Sequence, residues 1–102
     1  MIHVVAIITA LPGQRATILE AFKANVPNVH AEAGCIEYGA VVDADPGTAT
    51  MTPAGPDTFM VIEKWASLDA LKAHAAAPHM ADYASRTRPL VANRVVHVLS
   101  PV

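Results

Sequence analysis

Two side chains with acid–base capability stand out by type and position. Glu63 and Trp65 share one face of an apolar segment, because strand side chains repeat every two residues, and Phe59 and Val61 precede them on that face. A carboxylate closing an apolar row is costly unless it is paired, and the partners on offer are His74 or an arginine. The plain alternative is a strand-end glutamate reaching solvent. His74 follows on the next predicted helix, near Leu71 and Ala75. An imidazole there suits a general base, since its ordinary pKa of about 6.5 lies near working pH. From the residues alone, a half-buried histidine bonded to a backbone carbonyl is the plainer reading. Tyr38, Tyr83, Met51, Met80, Phe22 and Trp65 fit the walls of a flat aromatic pocket, although the usual meaning of such residues is core. Arg86 or Arg88 is placed to reach a pocket rim, and the same two arginines otherwise read as solvated or paired. Cys35 reads as a small buried hydrophobe, with nothing nearby to depress its pKa.

Other chemistries lack their motifs. His74 and His79 are five apart with Pro78 between them, unlike the i,i+4 pair of a zinc helix, and no metal site is expected. The five glycines are dispersed, so there is no phosphate loop or dinucleotide fingerprint, and no nucleophile elbow is present.

These residues need elements to hold them. Residues 2–10 are apolar and β-branched up to Leu11-Pro12-Gly13, and read as a strand buried on both faces. Residues 14–33 carry a helical stripe of Ile18, Leu19, Phe22, Val26, Val29 and Ala33, with Pro27 expected to kink it and Gly34 to end it. Residues 35–42 read as a strand with Ile36, Tyr38, Ala40 and Val42 on one face. Turns at 43–47 and 53–57 flank a short strand at 48–52. Residues 58–65 form a strong strand. Ser67 caps a helix over 68–76 with Asp69 in its first turn. Pro78 restarts a helix over 79–91, and 94–99 is the last strand.

The order β-α-β-β-α-β is that of a ferredoxin-like α+β fold, an antiparallel sheet with helices on one face. With 102 residues the chain is expected to be one domain, 1–102. Its residues are 53% hydrophobic and only 16% charged, more apolar surface than so small an interior can hide. The outer sheet face of strands one and three is apolar, so a homodimer with two sheets packed face to face is expected. A net charge of −2 with scattered basic residues gives no basis for nucleic-acid binding. The first apolar run stops far short of the ~20 residues of a membrane span and lacks a basic flank. One cysteine fits a reducing cytoplasm.

The segments Glu32-Ala33-Gly34-Cys35-Ile36-Glu37-Tyr38, Phe59-Met60-Val61-Ile62-Glu63-Lys64-Trp65, Leu71-Lys72-Ala73-His74 and Pro78-His79-Met80 resemble, in order and spacing, the antibiotic biosynthesis monooxygenase family. Within it the chain is most similar to the bacterial quinol monooxygenases acting on menadiol-type naphthoquinols. The resemblance implies a dimeric α/β barrel. It also implies oxygenation of a small aromatic quinol or polycyclic phenol by O₂ without metal, flavin or other cofactor. It would make His74 and Glu63 the catalytic pair and Trp65 a wall of the substrate pocket. Tyr38, His79, Tyr83, Phe22, Phe59 and Met80 would be further lining groups. Haem-degrading relatives instead use an asparagine on the first strand, a tryptophan on the second helix and a histidine beyond it. Here Ala6 and Ile7, His74, and Ala84 stand at those places, so haem is not the expected ligand. A ring-binding dimer without turnover is the remaining alternative.

Overall fold

In the computed structural model, which describes residues 1–44 and 51–102, four strands form one antiparallel sheet. The elements are β1 (Ile2–Ala10), α1 (Arg15–His30), β2 (Cys35–Val41), β3 (Thr58–Trp65), α2 (Leu68–Ala75), α3 (Pro78–Thr87), a 3₁₀ turn (Arg88–Leu90) and β4 (Val91–Leu99). The strand order is β2-β3-β1-β4, the ferredoxin-like arrangement. The expected turn at 43–47 and strand at 48–52 fall largely outside the described residues. Met51 and Thr52, which are described, are not in a strand.

Alternation decides the layers. Val4, Ala6, Ile8 and Ala10 of β1 are buried under the helices, as are Phe59, Val61, Glu63 and Trp65 of β3. Against them pack Ile18, Phe22 and Val29 of α1. The residues between, Val5 and Ile7 on β1 and Met60 and Ile62 on β3, face the other side of the sheet and are only half-buried. β4 pairs along β1 yet is almost wholly exposed, with Val98 51% and Leu99 45% accessible. No helix among the described residues is long and apolar enough to cross a membrane.

Four local expectations are corrected. Pro27 neither kinks nor stops α1 in its middle, because it lies in the final turn. The helix closes just beyond it, with the Ala31 N–H bonded to the Pro27 carbonyl and the Glu32 N–H to that of Val29. Gly34 sits four residues past the helix end, at φ +84°, in the turn leading to β2. A Cβ there would stand 2.7 Å from Ala70 Cβ, so glycine also lets α2 approach. On β2 the register shifts between Cys35 and Glu37, leaving Ile36 53% exposed rather than beside Tyr38. The last helix ends at Thr87, not 91, because Arg88 precedes Pro89 and the chain passes through a 3₁₀ turn into β4.

Candidate functional site

His74 lies in the last turn of α2, 6% exposed. Ser67 starts that helix by accepting the Ala70 N–H with its Oγ at 3.1 Å. The His74 ring packs 4.6 Å from Trp65 and 5.4 Å from Tyr38, centroid to centroid. Its Nδ1 is 2.7 Å from Oε2 of Glu32, in the turn after α1. A carboxylate only accepts, so Nδ1 carries the hydrogen, and in the neutral imidazole Nε2 keeps its lone pair. Nε2 makes no hydrogen bond among the described residues. Oε1 of the same carboxylate accepts from Nε2 of His79, at the start of α3, at 3.1 Å. Nδ1 of His79 is buried and without a partner. Glu32 thus clamps two histidines brought from two helices.

Glu63 makes a different contact from the one expected. Its Oε1 accepts the indole N–H of fully buried Trp65 at 2.9 Å, and the carboxylate bonded to His74 is Glu32. Glu63 is itself 7% exposed. Burial pushes its carboxyl above the ordinary range, against the opposing pull of the Trp65 N–H, His74 and Arg94. Tyr38, opposite Glu63 on β2, is likewise pushed far up by burial and by the Glu63 charge. Its phenol is therefore a hydrogen-bond donor that stays protonated. Tyr83 is raised by burial as well. Cys35 is raised by burial and by Glu32 and Glu63, in keeping with a thiol that is no nucleophile.

The aromatic residues form a connected row. Phe22 stacks on Tyr38 at 5.1 Å and meets Phe59 and Tyr83 edge-on at 6.2 Å each. Met80 sits above, its sulfur accepting from Asn25 Nδ2 at 3.4 Å. A cavity of about 400 Å³ opens between α3 and the sheet, within the size range of small-ligand sites. Of the expected pocket residues only Met80 and Tyr83 line it. Phe22 and Phe59 are core, and Trp65 packs against His74. The cavity does not touch His74, Glu63 or Tyr38; Phe22 links Tyr83 at its wall to Tyr38 and on to His74. Arg88 reaches the rim, whereas Arg86 turns to Asp82 at 3.8 Å. Among the described residues no three of His, Cys, Asp or Glu are placed to hold a metal ion.

Sequence reasoning missed Glu32 and Arg94. Glu32 lies 42 residues from His74, and only the packing of α2 against the turn after α1 joins them. The one available signal was its place at the head of the Glu32–Tyr38 segment. Arg94 was one of several scattered cations, and its strand register opposite Ile8 brings it to the cavity.

Comparison with known proteins agrees with this architecture. "Probable quinol monooxygenase YgiN" of Escherichia coli (strain K12) is 36% identical over 103 residues, covering 99% of this chain and 98% of that protein. The crystal structure of PA3566 from Pseudomonas aeruginosa superposes with a TM-score of 0.81 at 26% identity, over 99% of this chain and 93% of that one. Rv0793 from Mycobacterium tuberculosis shares the fold, with a TM-score of 0.81 at 24% identity over 99% and 94% of the two chains. The sequence profile described as "Antibiotic biosynthesis monooxygenase" matches residues 1–86. Four antiparallel strands in ferredoxin-like order, together with that match and the relative at 36% identity, establish that the chain belongs to the antibiotic biosynthesis monooxygenase family.

Proposed function

We propose that the chain is a single-domain, homodimeric, cytoplasmic monooxygenase that oxidises a small aromatic quinol with O₂ and needs no bound cofactor. The observation that carries this reading is the Glu32–His74 hydrogen bond of 2.7 Å, which leaves Nε2 as a free, oriented base in an apolar setting. The ring enters the cavity beside Met80 and Tyr83, and its hydroxyl reaches His74 only when the Phe22 and Tyr38 rings that stand between them move aside. His74 takes the phenolic proton at Nε2. The resulting anion gives one electron to O₂, and the radical pair recombines at a ring carbon. The peroxide then breaks its O–O bond, one oxygen stays on the ring as hydroxyquinone, and the other leaves as water. The protein's contribution is deprotonation, orientation and exclusion of bulk water. Tyr38 and Glu63 surround the base, and the quinol assignment draws on the name given to the E. coli relative.

The test is oxygen uptake with chemically reduced menadione, in the presence of superoxide dismutase and catalase. His74→Ala is expected to lower turnover by ~10²–10⁴, the worth of a general base. Unchanged turnover in that variant removes His74 from the reaction. A second reading, a ring-binding dimer without turnover, draws on the Phe22 and Tyr38 rings standing between the cavity and His74. Saturable binding with uptake no faster than the protein-free blank decides for it.

A further inference from the structure

We propose that the cavity beside α3 selects an aromatic ligand bearing a carboxylate, and that Arg94, assisted by Arg88, is the residue that selects it. This rests on reading the cavity as the place where the ring binds. Its lining is apolar at Ile8, Ile18 and Val91, and two arginines, Arg88 and Arg94, line it as well, with no Asp or Glu among its lining. Arg94 comes from β4, opposite Ile8 on the helix-covered side of the sheet, and Arg88 from the 3₁₀ turn at the end of α3. The two cations therefore approach one space from two elements. Among the described residues neither has a carboxylate within salt-bridge distance, whereas Arg86, two positions from Arg88, pairs with Asp82. Arg94 also draws down both the Glu63 carboxyl and the Tyr83 phenol, so its field spans the cavity and the edge of the histidine cluster.

A neutral ring would fill the apolar floor and leave both guanidiniums to water. A cationic ligand would be repelled. A planar aromatic carboxylate meets both requirements, because its rings match the floor and guanidinium forks bind carboxylates through two parallel hydrogen bonds. Arg94 is thus a specificity residue rather than a participant in proton transfer.

The experiment is calorimetric binding to the full chain of two probes with the same rings, 2-naphthoate and 2-naphthalenemethanol. The wild type is expected to bind the carboxylate at least about tenfold more tightly, as for a charge-assisted contact. Arg94→Gln should reduce that preference to about twofold, and Arg88→Gln should reduce it in part. The affinity for the alcohol reports whether each variant's cavity is intact. Equal affinities in the wild type, a preference that survives when Arg88 and Arg94 are both replaced by Gln, or binding of neither probe overturns the proposal. Oxygen uptake is measured separately. Loss of the oxygenase reading with a retained carboxylate preference leaves the selectivity standing, and the reverse outcome removes the selectivity alone.

Discussion

At the scale of single residues, the chemistry depends on which nitrogen of His74 holds its proton. Glu32 decides this by accepting from Nδ1 at 2.7 Å. Glu32→Gln keeps the shape but can present an amide N–H to the imidazole, so the tautomer is no longer enforced. Turnover of menadiol is expected to fall by about 10², with the affinity for a non-reactive naphthalene ligand little changed. Nitrogen-15 NMR of the imidazole checks the tautomer directly. Glu63 makes a prediction of the opposite sign for stability. Its carboxyl pKa is raised in the folded chain, so the folded state holds the proton more tightly than the unfolded one. Its contribution to stability is therefore present below the unfolded value of about 4.5 and is lost as pH rises through the raised folded value. Glu63→Gln can keep an oxygen for the Trp65 N–H while removing the buried charge. The variant should melt higher than wild type at pH 8, with the difference shrinking toward pH 4; a lower melting temperature at pH 8 contradicts this. Glu63, Trp65 and Tyr38 were singled out from residue type and two-residue alternation, and His74 from its type and its place on the helix after Trp65. Glu32 was not, because its role arises from a contact between segments 42 residues apart, which no local pattern encodes.

At the scale of elements, the site is held by how α2 sits against the turn after α1. Gly34 allows that approach, with positive φ and Ala70 Cβ 2.7 Å from where its own Cβ would lie. Gly34→Ala should destabilise the fold by about 1–3 kcal/mol in chemical denaturation, combining left-handed backbone strain with overpacking. It should also lower turnover, since Glu32 is two residues away. Ser67→Ala removes one cap of α2 and should cost about 1 kcal/mol. The elements themselves were readable from apolar periodicity, and four strands and the main helices fall where the pattern places them. What escaped the pattern has physical causes. Pro27 in a last turn sacrifices little, a bulge at Ile36 reverses the face that alternation assigns, and Arg88-Pro89 converts a helix end into a 3₁₀ turn.

At the scale of the whole molecule, one face of the sheet and nearly all of β4 beyond Val91 lack cover among the described residues. Val5, Ile7, Met60 and Ile62 lie half-buried on that face, and Val95 is 39% exposed beside them on β4. A second copy seated there would make the expected dimer. Sedimentation at micromolar concentration should then give about 21 kDa, twice the 10.7 kDa chain, because obligate interfaces bury on the order of 2,000 Å² or more. Val95→Glu, a change an exposed position tolerates in the lone fold, should shift the species toward monomer. A monomeric wild type contradicts the dimer. The fold was legible as a whole because element order and two-sided apolar strands leave few arrangements; the cavity was not, since its lining joins β1, α1, α3 and β4. The account's central claim, that this chain adds one atom of O₂ to a quinol with no bound cofactor, has a direct test. Chelator-treated protein with no absorbance beyond that of its own aromatic residues is given menadiol under ¹⁸O₂, and the product is weighed by mass spectrometry. The account predicts hydroxyquinone carrying one ¹⁸O atom, formed well above the protein-free blank and lost in His74→Ala. Menadione without added oxygen, formed at the blank's rate, would contradict it.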